Sequence, residues 1–286
     1  MTGLAIALVF AAAFIHATWN LLTKRASGGA SFTWLFAALS AALYAPLAAG
    51  VILLQQPRIG PVELGFMSGS AILHTGYFLL LNQGYRVGDL SLVYPLARGT
   101  GPMLSTAAAI LFLGERPSPI AIGGAVLIAL GVIALTSNPH KLRESGAARA
   151  VAYSLLTGIF IAAYTLLDKQ AVSAFLISPL LLDWAANLGR AALLTPFALR
   201  HWDKVRSEWQ SHCFEAIGVA VLAPLSYILV LTALTFTAVS YVAPAREISI
   251  LIGAAMGTGL LAEGDALRRL GAAVAMVLGA VALAVG

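Results

Sequence analysis

Charge is what this sequence has least of. Aspartate, glutamate, lysine and arginine make up 10% of its 286 residues, against 60% hydrophobic residues. A water-facing globule of this length needs about a quarter of its residues charged to wet its surface, so a soluble fold is excluded and the lipid bilayer is the solvent that fits. Cysteine is nearly absent as well: the lone Cys213 rules out an intramolecular disulfide or a dithiol redox pair, and reads as a structural thiol. No Walker-type glycine loop occurs, which argues against ATP-driven chemistry within the chain. Five scattered histidines make no metal-ligand set, so neither a metal nor a cofactor is expected. The formal net charge of +5 is spread over helix ends rather than gathered in a patch, and nucleic acid is not an expected partner. Positive charge is also missing ahead of the first apolar run, Leu4 to Ala13; Lys24 and Arg25 follow it instead, which predicts an uncleaved first helix rather than a signal peptide.

What is present is a series of apolar blocks: 3–22, 32–54, 64–84, 90–113, 120–136, 148–167, 178–199, 214–234, 239–262 and 269–285. A spanning helix needs about 20 mainly apolar residues, so the fold class predicted is an all-α membrane protein of about ten transmembrane helices. Turn and charge signals such as Gln56-Pro57-Arg58 and Gly114-Glu115-Arg116-Pro117 separate the blocks. The polar, basic stretch 137–147 is the expected linker between residues 1–136 and 148–286. Loops after odd-numbered blocks carry Lys24, Arg25, Arg86, Lys141, Arg143, Arg149, Arg200, Lys204, Arg206, Arg268 and Arg269; loops after even-numbered blocks carry only Arg58, Arg116 and Lys169. Positive residues stay on the cytoplasmic side, so the linker is expected in the cytoplasm and both termini outside it, in a bacterial-type inner (plasma) membrane.

The two halves repeat. Trp19-Asn20-Leu21-Leu22-Thr23-Lys24 matches Tyr164-Thr165-Leu166-Leu167-Asp168-Lys169 at an offset of 145. Arg98, Glu115, Gly123, Gly131 and Leu135 meet Arg246, Glu263, Gly271, Gly279 and Leu283 at a constant 148. With five helices per half, the second copy enters the bilayer from the opposite face, which makes the repeat inverted. Such halves can rock to expose a midplane site to each side in turn, a recurring device of transporters.

These residues resemble a known family. The run Asp89-Leu90-Ser91-Leu92-Val93-Tyr94-Pro95-Leu96-Ala97-Arg98, then Leu113-Gly114-Glu115-Arg116-Pro117 and a glycine-rich short helix, is similar to the EamA-type half-repeat of the drug/metabolite transporter superfamily. The second half is similar through Ala243-Pro244-Ala245-Arg246 and Leu261-Ala262-Glu263, but departs from the Glu-Arg-Pro turn at Glu263-Gly264-Asp265. The resemblance covers essentially the whole chain and implies a metabolite transporter, with amino-acid and metabolite exporters as the nearest likeness.

Ionisable groups inside membrane helices cost about 2.5–3.5 kcal/mol each, so each needs a reason. Arg98 and Arg246 lie roughly 10–12 Å deep, approaching the midplane from opposite faces, and a pair of guanidinium forks suits a carboxylate. The alternative is that Arg246 pairs with Glu247 or another acid and merely locks helix packing. Pro95 and Pro244 precede these arginines and free backbone carbonyls, either exposing them to a site or merely kinking the axis. Helical spacing puts His16, Trp19, Asn20 and Thr23 on one face, Ser70, His74 and Tyr77 on another with Asn82 just off it, and Asp183, Asn187 and Arg190 on a third, beside Trp184. Tyr164 and Tyr227 are the second-half partners of Trp19 and Tyr77. The candidate substrate-binding set is therefore Trp19, Asn20, His74, Tyr77, Tyr94, Arg98, Tyr164, Trp184, Asn187, Arg190, Tyr227, Arg246 and Glu247. Trp34, Trp202 and Trp209 read as interfacial anchors, and the Gly65/Gly69 and Gly253/Gly257 pairs as close helix packing.

The first expectation is a secondary transporter exporting amino acids or similar small metabolites, with a small-molecule substrate and the bilayer as partners; monomer or homodimer is left open. Three arginines against Asp183 and Glu247 favour anions or zwitterions, and the first helix lacks the buried acid of small multidrug antiporters. Alternatives are an exporter of drugs, nucleosides or sugars, or a lipid flippase. An intramembrane enzyme is not expected, because no His/Asp pair stands at catalytic spacing.

Overall fold

The computed structural model describes residues 1–26, 29–87, 90–136, 147–256 and 266–286. Asp89, the linker at 137–146, Gly257 and the Glu263-Gly264-Asp265 turn lie outside the described residues. Among the described residues there are eleven helices and no strand: α1 (Gly3–Arg25), α2 (Ala30–Gln55), α3 (Pro61–Val87), α4 (Leu90–Phe112), α5 (Pro119–Thr136), α6 (Ala147–Ser173), α7 (Pro179–Arg200), α8 (Trp202–Phe236), α9 (Val239–Ala245), α10 (Ile248–Met256) and α11 (Ala266–Val285). Local chemistry sets the boundaries. Proline opens α3, α5 and α7, where its missing N–H is no loss. Glu63 accepts from the Gly60 amide at 2.8 Å, and Ser118 from the Ala121 amide at 3.0 Å, capping the first turns of α3 and α5. Gln56 ends α2 in the left-handed region, and Pro57 bars its continuation.

Among the described residues, five helices are long and apolar enough to cross a bilayer: those at Gly3–Thr23, Ala30–Gln55, Pro61–Gly84, Ala147–Ser173 and Trp202–Phe236. Their outer faces carry exposed apolar side chains, with Leu54 87% and Phe214 71% exposed, as a lipid-facing surface requires. The sequence predicts ten crossings. α7 has 22 residues, but Asp183, Asn187 and Arg190 dilute its apolar character.

Three sequence expectations are corrected. The ninth apolar block is not one helix: α9 and α10 are separate, because Pro244 cannot donate to Ser240 and the chain tightens into i→i−3 bonds, Glu247 to Pro244 at 3.0 Å and Ser249 to Arg246 at 3.1 Å. The sixth runs past residue 167 to Ser173 and takes Asp168 and Lys169 into the helix. Lys169 is therefore not a loop charge; its Nζ donates to the carbonyls of Leu234 at 2.7 Å and Thr237 at 3.0 Å at the end of α8. The eighth starts at Trp202, twelve residues early, with a break at His212 (φ −136°, ψ 33°).

The proline inside α8 has its freed carbonyl satisfied by a neighbouring helix. Pro224 frees the Ala220 carbonyl of α8, and Ser40 of α2 donates to it at 3.0 Å. Tyr44 donates to the next carbonyl, Val221, at 2.7 Å. The packing pairs are α1 with α8 and α10, α3 and α4 with α6, α2 and α3 with α7, and α5 with α11.

The closest backbone approach is between α5 and α11. A Cβ on Gly124 would meet the Gly279 carbonyl at 2.6 Å, and one on Gly279 would meet the Gly124 carbonyl at 2.6 Å. This reciprocal contact replaces the expected Gly65/Gly69 packing: Gly65 has open space, and Gly69 faces only the Leu167 side chain. Gly124→Ala is expected to destabilise the protein by about 1–3 kcal/mol through overpacking, read as a fall in detergent-solubilised thermal unfolding. Gly65→Ala should stay within about 0.5 kcal/mol of wild type; equal effects of the two would contradict this packing.

Candidate functional site

The polar groups of α3, α6, α8 and the α9–α10 break converge inside the bundle. Asp168, with no solvent exposure, is the hub. Its Oδ2 accepts a 2.6 Å hydrogen bond from the Tyr227 hydroxyl and lies 3.1 Å from His74 Nε2. Its Oδ1 is buried with no hydrogen-bond partner among the described residues. The rings enclose this carboxylate: His74 stacks on Tyr164 at 4.0 Å, while Tyr227 meets both edge-on, at 5.1 Å from His74 and 6.3 Å from Tyr164. Tyr77 joins edge-on at 5.9 Å from Tyr164. Three helices thus build one aromatic wall. It is held by the spacing of His74 and Tyr77 on α3 and of Tyr164 and Asp168 on α6, each pair a turn apart.

The two arginines expected to act alike do different things. Arg98, 5% exposed, forms an ion pair with Glu247, its Nε 2.9 Å from Glu247 Oε2. This bond ties α4 to the α9–α10 break. It also corrects the expected Arg246–Glu247 pairing, since Glu247 is taken by the other half of the chain. Arg246 lies over the Tyr227 ring at 5.6 Å and is only half-buried. Among the described residues no carboxylate is within ion-pair distance of it. The break explains the divergence: adjacent residues in a tight turn point different ways, Glu247 into α4 and Arg246 towards the aromatic wall.

On α7, Asn187 donates to Asp183 Oδ2 at 3.0 Å and accepts from Arg190 Nη1 at 3.1 Å. The relay matches the expected face, and Arg190 Nε remains without a hydrogen-bond partner among the described residues. α7 packs against α3, the helix that carries His74 and Tyr77 of the aromatic wall. On α1, Trp19 packs against His16 at 4.7 Å, its indole N–H buried without a hydrogen-bond partner among the described residues, and Asn20 is half-buried next to it. Trp184 gives its indole proton to the Ala41 carbonyl of α2 at 2.9 Å and so serves that contact. The side chain of Tyr94 lies outside the described residues.

Asp168 is the residue sequence reasoning missed. Ending the sixth helix at 167 left it in a loop, although it stands four residues after Tyr164, the spacing that would have put it on the same face.

A second polar cluster sits by the chain termini. Gly114, at φ +66° in the left-handed region open to glycine, turns the chain after α4. Glu115 can then accept from the Val239 and Ser240 amides at 2.7 and 2.9 Å, capping α9. Lys169 binds the end of α8 a few residues before. The α8–α9 turn is clasped from both sides.

A chain that is all-helical among its described residues, with an apolar exterior and charged, aromatic groups turned inward, is a multi-pass membrane protein by class. Residues 3–137 match the model of the EamA-like transporter family, a match consistent with the drug/metabolite transporter superfamily. A solved crystal structure shares the fold, with a TM-score of 0.76 at 14% identity over 98% of each chain. No protein of curated function matches.

Tyr227→Phe removes one hydrogen bond to a buried carboxylate and is expected to cost about 1.5–3 kcal/mol, measured by thermal unfolding; a cost below about 0.5 kcal/mol would mean that Asp168 does not depend on this donor.

Proposed function

We propose that this chain is a secondary transporter exporting small carboxylate-bearing metabolites, amino acids first among them, by alternating access at a central cavity. The observation that carries the reading is Arg246: a half-buried guanidinium above an aromatic wall, with no carboxylate at ion-pair distance among the described residues, the neighbouring Glu247 being held by Arg98. A desolvated guanidinium fork binds a carboxylate bidentately, and tyrosine rings accept an apolar side chain beside it. The buried Asp168 supplies the opposite charge that an ammonium group would seek.

The packing supports two inverted halves, 1–136 and 148–286, joined by a cytoplasmic linker. Exchange α1 with α6, α2 with α7, α3 with α8, α4 with α9–α10 and α5 with α11, and the contacts map onto one another: α1–α8 becomes α6–α3, α4–α6 becomes α10–α1, and α2–α8 becomes α7–α3. The Met1 amino group reaches the Ala284 carbonyl at 3.3 Å, which places both termini on one face, as an even number of crossings requires. The loop lysines and arginines favour placing that face outside the cytoplasm in an inner membrane.

Purified protein in proteoliposomes, offered labelled amino acids, nucleosides, sugars and organic cations, tests the reading. Saturable carboxylate transport is expected, falling at least tenfold in Arg246→Ala while the folded yield is kept. Transport of cations or uncharged sugars without carboxylates would overturn it in favour of another exporter of the superfamily, and lipid scrambling in the same vesicles would favour a flippase.

A further inference from the structure

Away from the central cluster, the first turns of α8 form a feature with no part in the proposed transport cycle. His212 breaks the helix, so residues 202–211 are a helical segment of their own. Trp202, Val205 and Trp209 fall at i, i+3 and i+7, making one apolar face. That face meets Trp34, Leu35, Ala38 and Leu39 of α2 across a groove of about 560 Å³, with Arg206 as its charged lining residue. A volume of this size suits a small amphiphile. Trp202 and Trp209 remain exposed at the rim, while Val205 and Leu35 are buried at the floor. Trp34 is fixed by a 3.0 Å bond from its indole N–H to Thr195 Oγ1 and meets Trp202 edge-on at 5.9 Å.

Two acids, Asp203 and Glu208, and two bases, Lys204 and Arg206, share this segment, with Arg200 just ahead of it. Arg200, Lys204 and Arg206 are all exposed. Of the nearby acids, Glu208 is engaged by His212 at 3.1 Å, and Asp203 forms no ion pair among the described residues. Among the described residues Arg206 has no acid within ion-pair distance at the groove. Tryptophans gather at the headgroup level of a bilayer, and basic pockets between membrane helices select anionic headgroups.

We infer that the groove between α2 and residues 202–209 of α8 is a binding site for one anionic phospholipid. Its acyl chain lies along Leu35, Ala38, Leu39 and Val205, the tryptophans flank the glycerol region, and its phosphate meets Arg206. The inference uses only the membrane class of the protein and is independent of the substrate proposed above.

The test uses the full chain in detergent micelles and lipids with brominated acyl chains, which quench nearby tryptophan fluorescence. Three of the five tryptophans line the groove. Brominated phosphatidylglycerol is expected to half-quench at about fivefold lower lipid than brominated phosphatidylcholine with the same chains, the preference that one basic contact supplies. Arg206→Gln should erase that preference while Arg58→Gln keeps it, and high salt should erase it in the unmodified protein. Equal quenching by both lipids, or a preference that survives Arg206→Gln or high salt, would overturn the site.

Discussion

Removing a charge from water costs several kcal/mol, and a buried ion is tolerated only where a partner and good geometry offset that cost. In a chain with so few charges the Arg98–Glu247 pair is where this constraint is tightest. Both side chains are closed off, and the bond joins α4 to the turn between α9 and α10. Because the pair consumes the acid next to Arg246, it decides which of the two matching arginines is left accessible. The aromatic wall, the proposed carboxylate site and the asymmetry between halves all follow from that choice.

The same rule governs the rest of the interior. Asp168 is held by Tyr227 and His74, Asp183 by Asn187, and Lys169 gives its protons to carbonyls at the end of α8. Backbone groups obey it too: the carbonyl released by Pro224 is answered by Ser40 from another helix. Glu115, at the glycine turn of the family motif, meets amides of α9 that have no partner within so short a helix. That contact gives the Leu-Gly-Glu sequence a physical reason, since the left-handed glycine aims the carboxylate across the bundle.

Much of this was legible in the sequence because periodicity and hydropathy survive without coordinates. Helix positions, the polar faces of α3 and α7, and the aromatic residues Tyr77, Tyr164 and Tyr227 could all be read from spacing. What failed did so for local reasons. Asp168 was lost because an apolar-run criterion stops at the first charge, while a helix anchored by Lys169 carries on. The start of α8 was missed because residues 202–211 alternate charge with tryptophan and look like loop. The partner of Glu247 was misassigned because sequence neighbours are visible and partners from another helix are not. Whether a glycine touches another backbone, as Gly124 does and Gly65 does not, is likewise a property of the packed state.

The most direct measurement is a double-mutant cycle on the central ion pair, reading thermal unfolding of the full chain for Arg98→Met, Glu247→Met and both together. Each single change leaves an uncompensated buried charge and is expected to cost about 3–5 kcal/mol, whereas the double variant, with both charges gone, should recover most of that loss. Losses that simply add would contradict the pairing, and with it the reason Glu247 is turned away from Arg246.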